Sequence, residues 1–113
     1  MHRFGQICGA LSGAAFSLML ACCAAYAGQT HQVIIQKFEF VPANLTIKRG
    51  DTVEFVNKDI APHTASEESD FLWDTGELVR NQSARIEFTK AGTSKYFCVF
   101  HPHMKAEIIV TAN

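Results

Sequence analysis

An all-β fold, an antiparallel sandwich, is what this sequence predicts beyond residue 27, and three observations predict it. Short runs rich in Val, Ile, Phe and Thr alternate apolar with polar residues. Clusters of Gly, Pro, Asn and Asp separate the runs. No stretch there carries a convincing helical period.

Taken in order, His31 to Val41 is the first run, with Phe38 and Phe40 alternating across Glu39. Pro42-Ala43-Asn44 interrupts it, because proline cannot donate to a ladder. Leu45-Thr46-Ile47-Lys48 alternates again and stops at a tight turn, Arg49-Gly50-Asp51. Thr52 to Asn57 resumes with Val53 and Phe55 on one face. Arg85 to Thr89 is a further alternating run, Ala91-Gly92 turns into Ser94 to Phe100, and Lys105 to Thr111 is the last. Short strands at this spacing with turn chemistry between them describe a sandwich. Between Ser66 and Arg80 the pattern changes. Glu67, Glu68 and Asp70 read as a solvated surface, and the lone Trp73 as core. An acidic patch guiding a basic partner is the functional alternative for the three carboxylates.

The first 27 residues read as an export signal. Met1-His2-Arg3 is a short basic start, Ile7 to Ala25 is apolar and rich in small residues, and Ala25-Tyr26-Ala27 fits the small-x-small cleavage rule. Cleavage after Ala27 places one small domain at residues 28–113, in the periplasm, with no stable membrane insertion. Ser12, Ser17 and the glycines weaken a spanning reading. Cys22 after Met19-Leu20-Ala21 is a lipidation alternative, although Met opens such a motif poorly.

Of four cysteines, Cys8, Cys22 and Cys23 fall within that leader, leaving Cys98 alone. A lone thiol in an oxidising compartment has no disulfide partner, and metal ligation is one of few reasons to keep it. The formal net charge of −1 carries no basic signature of a nucleic-acid binder.

The most specific feature is Cys98-Val99-Phe100-His101-Pro102-His103-Met104. A thiolate, an imidazole and a thioether at this spacing suit one soft metal. Two His and one Cys with a weak axial Met describe a blue-copper centre. The second His comes from upstream, and His63 in Ala61-Pro62-His63-Thr64 is the candidate. The expected metal set is therefore His63, Cys98, His101 and Met104, with no catalytic residues. Pro102 fixes a backbone angle and removes a donor near the sulfur.

On these residues the chain resembles the cupredoxins, with a Cys-x-x-His-Pro-x-Met loop spacing that looks most like the amicyanin type; plastocyanin-type loops carry a longer gap between the His and the Met. Phe38-Glu39-Phe40-Val41-Pro42, Gly50-Asp51-Thr52-Val53, Asn57-x-Asp59 and Tyr96-Phe97-Cys98 add to the likeness. The resemblance implies a Greek-key sandwich, one copper cycling between Cu(I) and Cu(II), and single-electron transfer. It also implies a monomer that meets redox proteins transiently, such as a dehydrogenase or a c-type cytochrome. Amicyanin-like proteins usually carry Asn after the upstream His, where this chain has Thr64. The Thr64 amide is expected to donate to the Cys98 sulfur and its hydroxyl to replace the side-chain tether. Asn57 is either a tether for the His63 loop or an ordinary strand-end residue. Ala106 stands where the family commonly has Gly.

His31, near the start of the first run, is read as solvated. His103 is read as exposed; the alternative is a His-x-His site with His101 for Zn or Cu(II). A copper-handling protein using the same ligands is the competing function, but Met104 is the only methionine after residue 27, and Cu(I) carriers favour methionine-rich sites. An oxidase or reductase would need further His clusters, which five histidines do not supply.

Overall fold

The computed structural model describes residues 28–113, all strand and loop; the expected leader lies outside the described residues. Eight strands run in order: β1 Thr30–Gln36, β2 Glu39–Val41, β3 Asn44–Lys48, β4 Thr52–Asn57, β5 Ser66–Glu67, β6 Ser83–Glu87, β7 Gly92–Cys98 and β8 His101–Thr111. They form two four-stranded sheets, ordered β2-β1-β4-β6 and β3-β8-β7-β5. The chain crosses between the sheets at every connection from β2 to β7, an interleaved Greek-key order that ties the layers together.

The sandwich agrees with the expectation; the strand directions are mixed. β1 pairs parallel with β4, and β3 parallel with β8, while β1–β2, β4–β6, β5–β7 and β7–β8 are antiparallel. Alternation of period two reports which face is buried and is blind to the direction of the neighbouring strand.

The first run is also not one strand. It folds into the β1–β2 hairpin through Lys37 and Phe38, both at positive φ (52° and 57°). Two-residue hairpins favour this conformation, but they normally use Asn or Gly for it. Here the Asp59 carboxylate supplies the compensation. Its Oδ1 accepts from the Lys37 amide at 2.7 Å and its Oδ2 from the Phe38 amide at 2.9 Å. Left-handed backbone at non-glycine residues costs on the order of 1 kcal/mol each.

Alternation places Val33 and Ile35 of β1, Val53 and Phe55 of β4, Tyr96 and Cys98 of β7, and Met104, Ile108 and Val110 of β8 in one buried cluster between the sheets. Trp73 packs against it as expected, stacked on Phe55 at 5.6 Å with its indole N–H donating to Ser94 Oγ at 2.8 Å. Tyr96 adds edge contacts to Phe40 and Phe55 at 4.7 and 5.5 Å. Such pairs contribute about 0.5–1.5 kcal/mol beyond area burial.

Two carboxylates read from sequence as surface or turn residues are instead buried anchors. Asp51 sits beside Gly50, whose φ of 95° makes the turn, and accepts from His31 Nε2 at 2.9 Å and from the Gln29 and Lys48 amides. His31 is therefore bonded, not simply solvated. Glu67 opens no acidic patch: it is buried and accepts from the Ser69 hydroxyl at 2.7 Å and from the Ser69, Asp70 and Leu72 amides. The hydrogen bond from His31, then those from the amides, lowers Asp51 from 3.8 to about 2. The Ser69 hydroxyl, reinforced by the amides against the opposing effect of burial, lowers Glu67 from 4.5 to about 2.

A carboxylate depressed in the folded state stabilises it fully above its unfolded pKa and loses that contribution as pH falls through its folded pKa. Metal-free protein should therefore lose urea resistance between about pH 4.5 and pH 2, and Asp51→Asn should flatten that acid limb. A wild-type urea midpoint that stays level across this window would contradict the assignment.

Candidate metal centre

Three segments meet at one end of the sandwich. Asn57 ends β4, the chain loops through Asp59 and Pro62, and His63 enters the interior. The His63 backbone is latched to Leu78 by two hydrogen bonds, 3.1 Å from its own N–H and 2.8 Å to its carbonyl. Asn57 closes the loop: its side-chain amide donates to the Ala61 and Leu78 carbonyls at 2.9 and 2.7 Å, and its Oδ1 accepts from the Asp59 amide at 2.8 Å. Asn57 is the tether and not an ordinary turn residue.

Cys98 ends β7 and His101 opens β8, facing each other across the two-residue turn Val99-Phe100. A register irregularity after Phe97 reaims the end of β7, as bulges commonly do beside functional sites. The Cys-x-x-His spacing is thus a hairpin. His101 and Met104 stand on β8 itself, where the sequence reading had them on a loop.

The Cys98 sulfur lies 3.7 Å from His63 Nδ1 and 3.6 Å from His101 Nδ1. All three ligand atoms fall within 4.8 Å of one another, with His63 and Cys98 buried and His101 partly exposed. Metal–sulfur and metal–nitrogen bonds of about 2.3 and 2.0 Å at 120° separate their donors by roughly 3.7 Å. The two observed sulfur–nitrogen spacings fit donors that would share one ion. Met104, buried in the same cluster as Cys98, is three residues along β8 from His101. His103 is exposed, as expected, and is absent from the three-residue donor cluster.

Thr64 joins the two ligand-bearing segments as its position after His63 implied. Its amide donates to Cys98 Sγ at 3.3 Å, and its hydroxyl accepts from the Val99 amide at 3.0 Å. Ser66 Oγ donates to Asp74 Oδ1 at 2.8 Å, so the single Thr64 hydroxyl proton is directed to Ser66 Oγ, 2.9 Å away. The buried Thr64 and Ser66 hydroxyls each have partners, and the row ends at the exposed Asp74.

Two neighbours escaped the sequence reading. Asp59 Oδ2 lies 2.8 Å from His63 Nε2, four residues on. Burial raises Asp59, but hydrogen bonds from the Phe38 amide, His63 and the Lys37 amide outweigh it, and the net shift is downward. An ionised carboxylate only accepts, so His63 carries its proton on Nε2 and leaves the Nδ1 lone pair facing the sulfur. The Phe38 ring meets both histidines edge-on, at 5.1 Å from His63 and 4.9 Å from His101. The Asn57-x-Asp59 motif was a signal for the first. Nothing in Lys37-Phe38, which lacks Gly and Asn, announced the second.

A β-sandwich that gathers two His and one Cys at one end, two of them buried and one partly exposed, has the architecture of the small copper-binding sandwiches. The cupredoxin-like domain model matches residues 9–110, and the chain belongs to that family. It is amicyanin-like: over 80 residues it is 34% identical to amicyanin from Paracoccus versutus, covering 67% of this chain and 61% of that protein. The chain thus spans about three fifths of that curated relative's length. The crystal structure of Paracoccus versutus amicyanin superposes with a TM-score of 0.65 at 32% identity, covering 77% of this chain and 83% of that one. A copper-containing nitrite reductase from Thermus scotoductus matches at TM-score 0.69 and 32% identity, covering 74% of this chain but 23% of the enzyme. His63, Cys98 and His101, two imidazoles and a thiolate, are a donor set whose chemistry suits copper.

Asn57→Ala should remove the side-chain donor from the half-buried Ala61 carbonyl and from Leu78, and cost about 1–3 kcal/mol in the metal-free protein. Urea denaturation measures this. A loss under about 0.5 kcal/mol would mean the loop holds its shape without the tether.

Proposed function

We propose that residues 28–113 form a periplasmic single-electron carrier in which His63 Nδ1, Cys98 Sγ, His101 Nδ1 and Met104 would hold one type 1 copper. The observation that carries this reading is the preformed, largely buried donor triangle around Cys98. Copper supplies a one-electron couple there. The chain's own residues hold nearly the same donor positions for both oxidation states, which keeps reorganisation small. His63 is fully buried and latched at backbone and ring, so it is the fixed ligand. The Thr64 amide stabilises negative charge on the sulfur, which a metal deprotonates outright.

His101 is the one ligand with a solvent-facing edge. Around it lie exposed apolar and ring side chains: Phe38, Pro62, Phe100, Pro102 and the imidazole of His103. A small apolar rim supports brief contact with redox partners such as a dehydrogenase or a c-type cytochrome, because weak interfaces release quickly. Carriage of electrons rather than catalysis fits a site whose ligands His63 and Cys98 admit no substrate. The same burial disfavours a copper-handling role, in which metal must pass between proteins. Among the described residues no helix is long and apolar enough to cross a membrane. The leader at 1–27 and export to the periplasm are part of this proposal, supported by the cleavage motif.

The visible spectrum tests the reading. Copper-loaded, oxidised protein should be intensely coloured by charge transfer from Cys98, and Cys98→Ser should lose the band. A colourless wild type at full copper occupancy would rule out this centre.

Met104→Leu should keep the colour and raise the reduction potential, since loss of a donor disfavours Cu(II). Voltammetry giving an unchanged potential would remove Met104 from the ligand set.

A further inference from the structure

We propose that Phe38 is a positioning residue for His101, and that Asp59, through the Lys37–Phe38 turn, is what holds it in place. The inference rests on the copper reading only for its consequences; the contacts exist in the chain itself. The rings of Phe38, His63 and His101 form a triangle with centroid separations of 5.1, 4.9 and 4.9 Å. Phe38 stands at 85° to one imidazole and 89° to the other. His63 has its own supports: a backbone latch, complete burial and the Asp59 bond. His101 is partly exposed, and no hydrogen bond to its Nε2 is made among the described residues. Besides Cys98 Sγ at its Nδ1, the Phe38 ring edge and the His63 ring lie against its imidazole.

Phe38 reaches that place from a turn in which it and Lys37 both adopt φ above 50°. The two amide bonds to Asp59 hold that turn. The same Oδ2 that accepts from the Phe38 amide also bonds His63 Nε2. One carboxylate therefore orients His63 directly and His101 through an aromatic ring 46% exposed to solvent. Exposure of that size at a core-forming residue type is expected if the ring serves its neighbours and not the interior.

This arrangement yields a non-additivity and a rescue. Phe38→Ala should lower Cu(II) affinity about 10-fold, the scale of an outer-shell loss. Asp59→Ala should lower it more, between about 10- and 100-fold, since it releases both histidines. In the Asp59→Ala background, Phe38→Ala should add less than about twofold, because the ring is already free. Adding Lys37→Gly to Asp59→Ala, which favours the turn without touching either histidine, should recover part of the loss.

The deciding measurement is made on metal-free protein by NMR, reading ring contacts and line widths of both imidazoles in wild type, Phe38→Ala, Asp59→Ala and Asp59→Ala/Lys37→Gly. The expected result is a sharp, single His101 ring state in wild type, averaged in both single variants and restored in the double, while His63 is perturbed by loss of Asp59 and not restored. A His101 ring that is equally ordered in wild type and Phe38→Ala overturns the proposal. So does an ordered His101 in Asp59→Ala. Because no copper is present, either outcome stands apart from any failure of the copper reading, which the visible spectrum reports.

Discussion

Two hydrogen bonds through Thr64 hold the centre together. Its amide binds the Cys98 sulfur, and its hydroxyl binds the amide of the next residue, Val99. These bonds extend the β5–β7 pairing, which begins two residues along at Ser66 and Phe97, up to the ligands themselves and tie the His63 segment to the β7–β8 hairpin. With them the two imidazoles reach the sulfur at nearly equal distances. Ser66 and Asp74 complete the row by directing the hydroxyl proton away from Val99, so Thr64 can only accept there.

Burying such a row is expensive unless it is fully paired. At this end of the sandwich Asn57, His63, Thr64 and Ser66 are all nearly inaccessible, and each has partners. Between the sheets the core cluster is mainly apolar, with a packed aromatic group of Phe40, Phe55, Trp73 and Tyr96. The division has a functional consequence. The apolar end supplies the stability of a domain that has no disulfide among its described residues, and the polar end keeps three donors in place before a metal arrives.

Much of this was legible in the sequence because it depends on local spacing. The alternation at Val53-Phe55 marked the inner face, and Cys98, His101 and Met104 announced a donor set by their order. The Thr64 tether followed from its place beside His63. What stayed hidden depends on pairing between distant segments. The parallel β1–β4 and β3–β8 pairs leave no trace in a period of two. Lys37-Phe38 makes a turn against its own composition because Asp59, some twenty residues later, holds it. Glu67 looked like a surface charge since its partners are mostly backbone amides, which composition does not display. His31 acquired a partner only when Asp51 folded beside it.

The claim that the centre is built by the fold before metal binds reduces to the behaviour of two amide protons. Hydrogen exchange in metal-free protein should show the Thr64 and Val99 amides protected to nearly the same degree as those in the middle of β7, since opening them requires separating the two ligand-bearing segments. Exchange at the rate of an exposed loop, with protection appearing only after copper is added, would show instead that the metal assembles the site.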